Sequence, residues 1–397
     1  MSNTQKKNVP ELRFPEFEGE YSLDIFGNLA TNKSDKFNPQ NENASIDIEL
    51  DCIEQNTGRL IKIYNSKEFS SQKNKFNPQN VLYGKLRPYL NKYYFTKKSG
   101  VCSSEIWVLK STKEDKLLNL FLYYFIQTKR YSDVASKSAG SKMPRADWGL
   151  IENIRVYFPE LCEQQKIGQF FSKLDRQIEL EEQKLELLQQ QKKCYIQKIF
   201  SQELRFKDEE GNYYKGWNKK QLKDVLEFSN KRTINENEYP VLTSSRQGLI
   251  LQSDYYKDRK TFAESNIGYF ILPKNHITYR SRSDDGIFKF NLNLMIDVGI
   301  ISKYYPVFKG IDANQYYLTL HLNYQLKKEH IKYATGTSQL VLSQKDLQNI
   351  KTKLPSYEEQ QKIGGFFSEI DRLVEKQSSK VGRLKVRKKE LLQKMFV

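Results

Sequence analysis

Basic and amide side chains occur in short clusters in both halves of the chain, at spacings suited to binding a polyanion. Residues 83–89 read Y-G-K-L-R-P-Y after an apolar segment, so on a β-strand Lys85 and Arg87 would point to one face. Residues 279–283, Y-R-S-R-S, stand 196 positions later. An arginine head can bind guanine O6 and N7 or clamp a phosphate. Both segments are therefore candidate nucleic-acid contacts.

Three further segments carry groups of the same kind. Residues 244–248, S-S-R-Q-G, include a glutamine that could pair with adenine through two hydrogen bonds. The glycine–hydroxyl turns at 140–142 and 336–339 could bring backbone N–H groups against phosphates. Any single cluster is also compatible with a solvated surface, but corresponding positions are basic in both halves, which favours DNA contact. The predicted DNA contacts are Tyr83, Lys85, Arg87, Tyr89, Ser141, Lys142 and Arg145 in the first half, and Arg246, Gln247, Tyr279, Arg280, Arg282, Ser283, Thr337, Ser338 and Gln339 in the second.

The composition agrees with a polyanionic partner. The 397 residues include 65 Lys and Arg against 48 Asp and Glu, which gives a net charge of +17. Hydrophobic residues make up 38%, as in folded proteins. The four cysteines are far apart and form no CxxC pair, so neither a disulfide framework nor a zinc site is indicated. No segment is apolar and long enough to cross a membrane, and we expect a cytoplasmic protein.

Catalytic motifs are not found in the sequence. It has neither G-x-x-x-x-G-K-[ST] nor G-x-G-x-x-G. Two Asn-Pro-Gln segments, at 38–40 and 77–79, lack the second proline and the aromatic of the Asn/Asp-Pro-Pro-aromatic motif of amino-methyltransferases. Ser283-Asp284-Asp285 could hold a metal ion, but a solvated turn is the favoured interpretation. We therefore predict a non-catalytic chain with no metal and no cofactor of its own.

The elements that must position the clusters are indicated by a long repeat. Residues 163–176, E-Q-Q-K-I-G-Q-F-F-S-K-L-D-R, return almost unchanged at 359–372. Each copy opens a segment in which apolar residues recur at alternating steps of four and three, from Ile167 and from Ile363, as on the seam of a coiled coil. A repeat of this length predicts a duplicated domain, with a long helix closing each half.

Two layers of each seam are polar at matching positions, Glu181 with Gln377 and Lys192 with Lys388. This match predicts that the helices pack on each other, antiparallel, with Glu181 facing Lys388 and Lys192 facing Gln377. The alternative is that each helix packs only on its own domain.

The tetrapeptide E-L-R-F at 11–14 returns at 203–206, directly after the first long helix. No helix precedes the first copy, unless the helix that ends the chain takes that place. The halves are therefore predicted to be related by circular pseudo-two-fold symmetry, with Val397 near residues 8–14. The predicted fold class is α+β: two mixed α/β recognition domains, 11–158 and 203–354, joined by an antiparallel coiled coil of two long helices, 159–202 and 355–397.

Two variable globular units, each followed by a helix that begins P-x-x-x-E-Q-Q-K-I-G and contains F-F-S-x-hydrophobic-D-R, resemble the specificity subunit of a type I restriction–modification system. The resemblance covers essentially the whole chain. It implies two target-recognition domains that each read one half of a bipartite DNA sequence, across a spacer set by the helices. It also implies partners: two methyltransferase subunits, which bring S-adenosylmethionine, and restriction subunits, which bring ATP and Mg²⁺. We expect partner contacts on exposed helix faces, for example at Lys166, Arg176 and Arg372.

Two other functions stay open from the sequence. The chain could be a stand-alone nucleic-acid-binding adaptor, which co-purification with a methyltransferase would argue against. It could also be a methyltransferase itself, although the missing glycine motif and the incomplete Asn-Pro-Gln segments are unfavourable.

Overall fold

Two long helices, Leu161–Phe200 and Tyr357–Met395, carry the repeated motif in the computed structural model, which describes residues 8–43, 45–137, 143–256 and 265–397. The chain divides into a first unit, Met1–Gln183 with Ser378–Val397, and a second unit, Lys184–Gln377. Both divisions fall inside the long helices, whereas the domain boundaries predicted from sequence lie at 158, 202 and 354.

The first unit contains a five-stranded sheet of order β3-β6-β9-β4-β5, a four-stranded sheet of order β2-β10-β7-β8 and the pair β1-β11. Its strands are β1 Ser22–Ile25, β2 Ala30–Thr31, β3 Lys36–Phe37, β4 Ile46–Ile48, β5 Tyr64–Asn65, β6 Lys73–Phe76, β7 Val81–Gly84, β8 Tyr93–Phe95, β9 Gly100–Cys102, β10 Ile106–Ser111 and β11 Arg155–Phe158. Its helices are α1 Phe26–Leu29, α2 Asn119–Phe125, α3 Lys129–Ala135, α4 Trp148–Ile151 and the start of α5 Leu161–Phe200, with 3₁₀ turns at Leu50–Cys52, Ser66–Glu68 and Pro88–Leu90.

The second unit contains a four-stranded sheet of order β13-β21-β17-β19 and four strand pairs, β12-β23, β14-β15, β16-β20 and β18-β22. Its strands are β12 Asn218–Gln221, β13 Leu226–Ser229, β14 Leu242–Ser245, β15 Gly248–Leu251, β16 Phe270–Pro273, β17 Ile277–Tyr279, β18 Arg282–Ser283, β19 Phe290–Leu292, β20 Val298–Ile301, β21 Val307–Gly310, β22 Leu340–Val341 and β23 Lys351–Leu354. Its helices are α6 Gln252–Tyr256, α7 Gln315–Leu320, α8 Lys327–Tyr333, α9 Gln344–Asn349 and the start of α10 Tyr357–Met395, with a π-helical turn His321–Gln325 and a 3₁₀ turn Leu222–Asp224.

The two units share one strand register, which confirms the predicted duplication. In the first unit Val81 on β7 pairs with Leu109 on β10, and in the second Ile277 on β17 pairs with Phe308 on β21. The isolated bridge between Leu86 and Arg145 returns, 196 positions later, as the pairing of Arg282 with Val341. The common frame therefore includes the segments in which the candidate contacts lie.

The repeated helix motif is explained by what its first residues hold. Glu163 accepts hydrogen bonds from Arg13 Nε (2.9 Å), Arg13 Nη2 (2.7 Å) and the Tyr21 hydroxyl (3.1 Å). The next residue, Gln164, accepts from the backbone N–H of Leu118 and donates to the Pro159 carbonyl. Buried polar groups require such partners, so Glu163 and Gln164 attach α5 to the first unit.

The glycine of E-Q-Q-K-I-G permits a close approach. At Gly168 a Cβ atom would lie 2.7 Å from the Leu120 side chain, and at Gly364 it would lie 2.4 Å from Asn314 Oδ1. Asn314 caps α7 by accepting from the Tyr317 N–H. In both units the helix motif therefore needs glycine, because the first turn of a short helix of the globular unit, α2 or α7, packs against it.

Most positions of the predicted apolar seams are buried or half-buried, but Tyr195 is 37% exposed and its neighbour Ile196 is buried instead. Ile167, Phe171, Leu174 and Ile178 of α5 belong to the core of the first unit, together with Leu392 and Met395 of α10. In the second unit, Ile196, Ile199, Ile363 and Phe367 lie in one core. Within each unit a stretch of α5 packs antiparallel to a stretch of α10, since later residues of α5 contact earlier residues of α10.

The predicted pairing of the polar layers is wrong. Lys388 binds Asp175 (2.6 Å) and Gln127 (3.0 Å) rather than Glu181, whose carboxylate accepts from Lys380. In the second unit Lys192 binds Asp371, six positions before the predicted partner Gln377. The heptad pattern identifies the buried face of each helix. It does not fix the axial register, which depends on groups outside the seam, such as Gln127, to which Lys388 donates.

The predicted proximity of Val397 to residues 8–14 is confirmed, and an equivalent contact occurs in the second unit. In the first unit the Leu12 N–H donates to the carbonyl of Lys394 (2.9 Å), three residues before Val397. In the second unit the Leu204 N–H donates to the carbonyl of Lys198 (3.0 Å). Each E-L-R-F segment thus lies on the end of a long helix. The segment at 203–206 follows its helix, α5, directly in the chain, whereas the segment at 11–14 contacts α10, which lies at the other end of the sequence.

Candidate nucleic-acid interface

The first-unit candidates come together where the chain leaves β7. The Arg87 N–H donates to the Pro144 carbonyl, and the Ala146 N–H donates to the Lys85 carbonyl, both at 2.8 Å. Arg87 has a left-handed φ of 52°, and a 3₁₀ turn, Pro88–Leu90, follows it. This bend leaves Tyr89 57% exposed. Lys85, Arg87, Tyr89 and Arg145 therefore form one surface, the first-unit cluster.

A carboxylate that the sequence did not single out is part of this cluster. Glu105 accepts hydrogen bonds from Arg145 Nε (2.9 Å) and Nη2 (3.1 Å). The hydrogen bond from Arg145 is the main reason that the pKa of the Glu105 carboxyl lies below its usual value, and the charge of Lys85 contributes to the shift. The only signal for Glu105 in the sequence is its position in the turn just before β10.

Tyr83 is a core residue and not a DNA contact, which corrects the prediction. Its side chain is 1% exposed, stacks on Trp107 with ring centres 6.2 Å apart, and meets the edge of Tyr131 at 5.2 Å. Tyr131 of α3 covers the face of β7 that carries Tyr83. Ser141 and Lys142, also predicted as contacts, lie outside the described residues.

In the second unit the pairing of β18 with β22 brings the candidates together. It sets Arg282 opposite Val341 and places the preceding loop, with Thr337 and Ser338 exposed, beside β18. Gln339 Nε2 donates to Asp284 Oδ1 at 2.7 Å. Gly336 makes the turn possible, since it has a φ of +111° and a Cβ there would lie 2.3 Å from the Gln339 carbonyl oxygen.

Arg246 and Gln247 form the exposed tip of the β14–β15 hairpin. Arg246 Nη2 lies 2.7 Å from Asp285 Oδ2. The other oxygen, Oδ1, accepts from the Ile287 N–H (3.2 Å) and the Ser283 hydroxyl (3.0 Å). These hydrogen bonds, that of Ile287 first, lower the pKa of the Asp285 carboxyl. The second-unit cluster thus consists of Arg246, Gln247, Arg280, Arg282, Thr337, Ser338 and Gln339.

Two second-unit predictions are wrong in the same way as Tyr83. Tyr279 is fully buried, stacks on Phe290 at 4.7 Å and donates its hydroxyl to the Leu342 carbonyl at 2.9 Å. Ser283 is 4% exposed, and its hydroxyl donates to Asp285 and to the Ile287 carbonyl within the turn. Arg280 is exposed, and Arg282 lies over the ring of the exposed Tyr304, 5.4 Å from its centre.

Neither a metal centre nor a membrane-spanning helix is found in the part of the chain that the structure describes. The carboxylates of Asp284 and Asp285 hold Gln339 and Arg246. The buried histidines are structural: burial lowers the pKa of His321 to about 3 and that of His330 to about 4, so both rings are neutral at pH 7. The exposed clusters are suited to binding phosphates and base edges rather than to acid–base chemistry.

A family model for the type I restriction modification DNA specificity domain matches the chain twice, over residues 19–190 and 214–382. The chain belongs to this family. Its role is therefore recognition of DNA in a type I restriction–modification system, and the family is one of recognition rather than catalysis. The two matches contain the first-unit and the second-unit cluster, respectively.

Relatives of this specificity-domain chain agree in sequence and fold. The type I restriction enzyme MjaVIII specificity subunit of Methanocaldococcus jannaschii is 26% identical over 324 residues, which cover 75% of this chain and 74% of the relative. The S subunit of the type I restriction–modification system from M. genitalium has a similar fold, with a TM-score of 0.59 at 16% identity over 98% of this chain and 99% of that one. A chain from a structural study of complex assembly and conformational transition in a type I R-M system gives a TM-score of 0.56 at 16% identity over 94% of this chain and 97% of that one.

Proposed function

We propose that the chain reads a bipartite DNA sequence, with one half-site for each unit. The observation that carries the proposal is the shared strand pairing, Leu86 with Arg145 and Arg282 with Val341, because it presents a different set of basic and amide groups in each unit. A duplicated frame with diverged contact residues is suited to recognising two different sequences in the same manner.

Within each cluster we assign two kinds of contact. Phosphate contacts would fix the position of each unit on the duplex, and base-edge contacts would specify the sequence. The exposed arginines at 87, 145, 246, 280 and 282 and the amide of Gln247 have the donor geometry for guanine and adenine edges. Lys85, as a point charge on a flexible stem, is better suited to a phosphate.

The reaction chemistry would be supplied by partners. We propose that two methyltransferase subunits bring S-adenosylmethionine and that restriction subunits bring ATP and Mg²⁺, in a cytoplasmic complex. Two equivalent partner sites are supported by the equivalent exposed arginines, Arg176 and Arg372, each paired one turn away on its own helix, with Glu179 (2.7 Å) and Glu369 (2.5 Å). Lys166, the third predicted partner contact, is paired with Glu16.

Methylome sequencing tests the proposal directly. The chain is expressed with the methyltransferase subunit of the same restriction–modification system, in a host that lacks other DNA methylation. The expected result is a single methylated motif with two specified halves and an unread spacer, which disappears when this chain is omitted. A contiguous motif, or methylation that persists without the chain, would contradict the proposal. Co-purification of the two proteins distinguishes the proposed subunit from a stand-alone adaptor.

A further inference from the structure

A carboxylate lies beside each candidate DNA-binding cluster and binds one of its arginines. An unpaired carboxylate on a DNA-binding surface is unfavourable because phosphates carry the same sign of charge. Glu105 and Asp285 nevertheless stand beside Arg145 and Arg246, one pair in each unit. Since a carboxylate occurs beside both clusters, we expect it to make a contribution to recognition that outweighs its repulsion of phosphates.

In the first unit the pair has the geometry that fixes a guanidinium plane. Both oxygens of Glu105 accept from Arg145, from Nε at 2.9 Å and from Nη2 at 3.1 Å. The backbone holds both partners in place: Lys85 N–H donates to the Glu105 carbonyl at 3.0 Å, and Arg145 is in a β-bridge with Leu86. A bidentate pair uses two of the five N–H donors of an arginine and sets its orientation.

In the second unit the carboxylate is the more rigid partner. Asp285 Oδ1 is held by Ser283 and Ile287 within the β18 turn, which directs Oδ2 to Arg246 at the hairpin tip. Arg246 is 64% exposed, and its backbone lies in a two-residue hairpin turn that sets the side-chain direction only at its base. Without Asp285 the long side chain would be free to sample many rotamers, which costs entropy when a base is bound.

We propose that Glu105 and Asp285 are positioning residues, which hold Arg145 and Arg246 in the orientation that reads one base in their respective half-sites. The inference rests on the proposed bipartite recognition. Arginine reads guanine through two parallel hydrogen bonds, so base discrimination depends on the orientation of its guanidinium plane, whereas phosphate binding depends on little more than its charge. Loss of the carboxylate should therefore reduce discrimination without reducing general DNA affinity.

A comparison of Glu105 with its equivalent in the second unit supports a role in recognition of one half-site rather than in the fold. The equivalent second-unit residue, 199 positions later in the shared strand register, is Tyr304, whose ring lies under Arg282. An acidic residue at this place is thus not required by the fold. The carboxylate function in the second unit comes from a different segment, the β18 turn, and serves a different arginine.

The experiment uses the complex of the full chain with its methyltransferase subunit and a pool of duplexes with a randomised central segment. Bound duplexes are selected and sequenced for the wild type, Glu105→Gln, Arg145→Ala and Asp285→Asn. Glu42→Gln and Glu227→Gln are matched controls, since these carboxylates pair with Lys75 and Lys309 outside the two clusters. Thermal unfolding and co-purification check that each variant folds and assembles.

The expected result for Glu105→Gln is a loss of base preference on the order of tenfold at one position of one half-site, the position that Arg145→Ala also affects. Asp285→Asn should weaken one position of the other half-site, and the controls should weaken none. Glu105→Gln added to Arg145→Ala should cause no further loss of preference, because the two residues act as one unit.

Two outcomes would overturn the inference. If Glu105→Gln and Asp285→Asn keep every base preference and only raise affinity for all duplexes, the carboxylates merely repel phosphates. If they change nothing, the pairs are surface ion pairs without a role in recognition. A wild-type complex that selects no bipartite sequence would instead contradict the proposed function, so the two failures are distinguishable.

Discussion

Lys388 Nζ lies 2.6 Å from Asp175 Oδ1, and this contact joins the two long helices within the first unit. Asp175 also accepts from the hydroxyl of Tyr124 at 3.0 Å, so the same carboxylate connects α5 to α10 and to α2. The second unit repeats the arrangement: Asp371 and Lys192 stand 196 positions from Asp175 and Lys388, and Asp371 accepts from Lys192 and from Tyr316 of α7. The aspartate of the repeated F-F-S-x-x-D-R motif is therefore a junction of three helices.

Replacing this aspartate should destabilise the first unit more than the second. Asp175→Asn leaves the ammonium of Lys388, which is 9% exposed, without its anion, and we expect a loss of about 1–3 kcal/mol in the free energy of unfolding. Asp371→Asn should cost less because Lys192 and Asp371 are more exposed. Denaturant unfolding with unit-specific hydrogen exchange measures both. The double variant Asp175→Asn/Lys388→Met should recover part of the loss, and equal losses in single and double variants would argue against the junction.

The two adjacent glycines of α10 offer an internally matched pair of substitutions. Gly364→Ala should destabilise the second unit, because its Cβ would lie 2.4 Å from Asn314 Oδ1 and disturb the cap of α7. Gly365→Ala should stabilise it by up to about 1 kcal/mol, since nothing lies within 4 Å and alanine favours the helix. Thermal unfolding of the two variants decides the sign. Stabilisation by Gly364→Ala would show that the packing there is loose.

Acid should weaken the second unit before the first. His321 and His330 are buried there with pKa values lowered to about 3 and about 4, against about 6.5 in an unfolded chain. The unfolded state therefore binds more protons, and stability is full above pH 6.5 and is lost as the pH falls toward 4, by about 1–2 kcal/mol for each histidine at pH 5. Hydrogen exchange at pH 7 and pH 5 should show this loss in the second unit.

Single substitutions test the assignment of this acid sensitivity to the buried histidines. His330→Leu should reduce the loss at pH 5, because the His330 ring packs on Phe290 and its Nε2 has no hydrogen-bond partner. His276→Gln is the control, since that ring is only half-buried. A second unit whose exchange is unchanged between pH 7 and pH 5 would contradict the prediction.

DNA binding should depend on the exposed members of the two clusters and not on their buried neighbours. Lys85→Ala and Arg280→Ala should weaken binding by the complex, and each lost phosphate contact should lower the slope of log affinity against log salt by about 1. Loss of base preference should stay within one half-site if the residue reads bases. Tyr83→Phe and Tyr279→Phe should leave DNA affinity unchanged, because both side chains lie in the core. Titrations at several salt concentrations compare all four variants.

The tyrosines show where sequence reasoning fails. A β-strand pattern identifies alternating faces, but it does not say which face another element covers. The spacing predicts Lys85 and Arg87 on an exposed face, and Lys85 is half-buried and Arg87 exposed, whereas Tyr83 of the same segment packs against Tyr131 of α3, more than 40 residues later. Glu105 was missed for a related reason. Its significance comes from Arg145, which a β-bridge to Leu86 brings near it, and a lone acidic residue before a strand carries no signal of that contact.

The coiled coil shows the complementary case. Heptad spacing predicts most of the buried positions of α5 and α10, because burial depends on periodicity along one helix, although Ile196 is buried in place of Tyr195. The partners of the polar layers depend on how far one helix slides along the other. That is decided by groups outside the seam, such as Asp175, which is fixed by Tyr124 of the globular unit. The 196-residue repeat relates these ion pairs correctly, since Lys388 with Asp175 in the first unit corresponds to Lys192 with Asp371 in the second.

Each E-L-R-F segment contacts the end of a long helix, with or without a covalent link to it, which predicts that the chain tolerates circular permutation. Leu12 lies on the end of α10 without a covalent link to it, through a hydrogen bond to the Lys394 carbonyl (2.9 Å) and an ion pair of Glu11 with Lys394 (3.0 Å). The covalently linked counterpart makes the same contacts, Leu204 to Lys198 at 3.0 Å and Glu203 to Lys198 at 3.7 Å.

A permutant that joins Val397 to residue 8 through a short glycine–serine linker, and opens between Ser201 and Gln202, exchanges the linked and unlinked ends. Gln202 is exposed and has a left-handed φ of 61°, so opening the chain there relieves a backbone constraint rather than breaking a packed element. We expect the permutant to fold, to bind the methyltransferase subunit and to direct methylation to the same motif as the parent chain.

A permutant opened inside β7, between Val81 and Leu82, is the matched control and should not fold, because both residues are fully buried in an inner strand. Loss of methylation in the first permutant, with its fold intact by hydrogen exchange, would mean that covalent continuity between α5 and the second unit is needed for recognition.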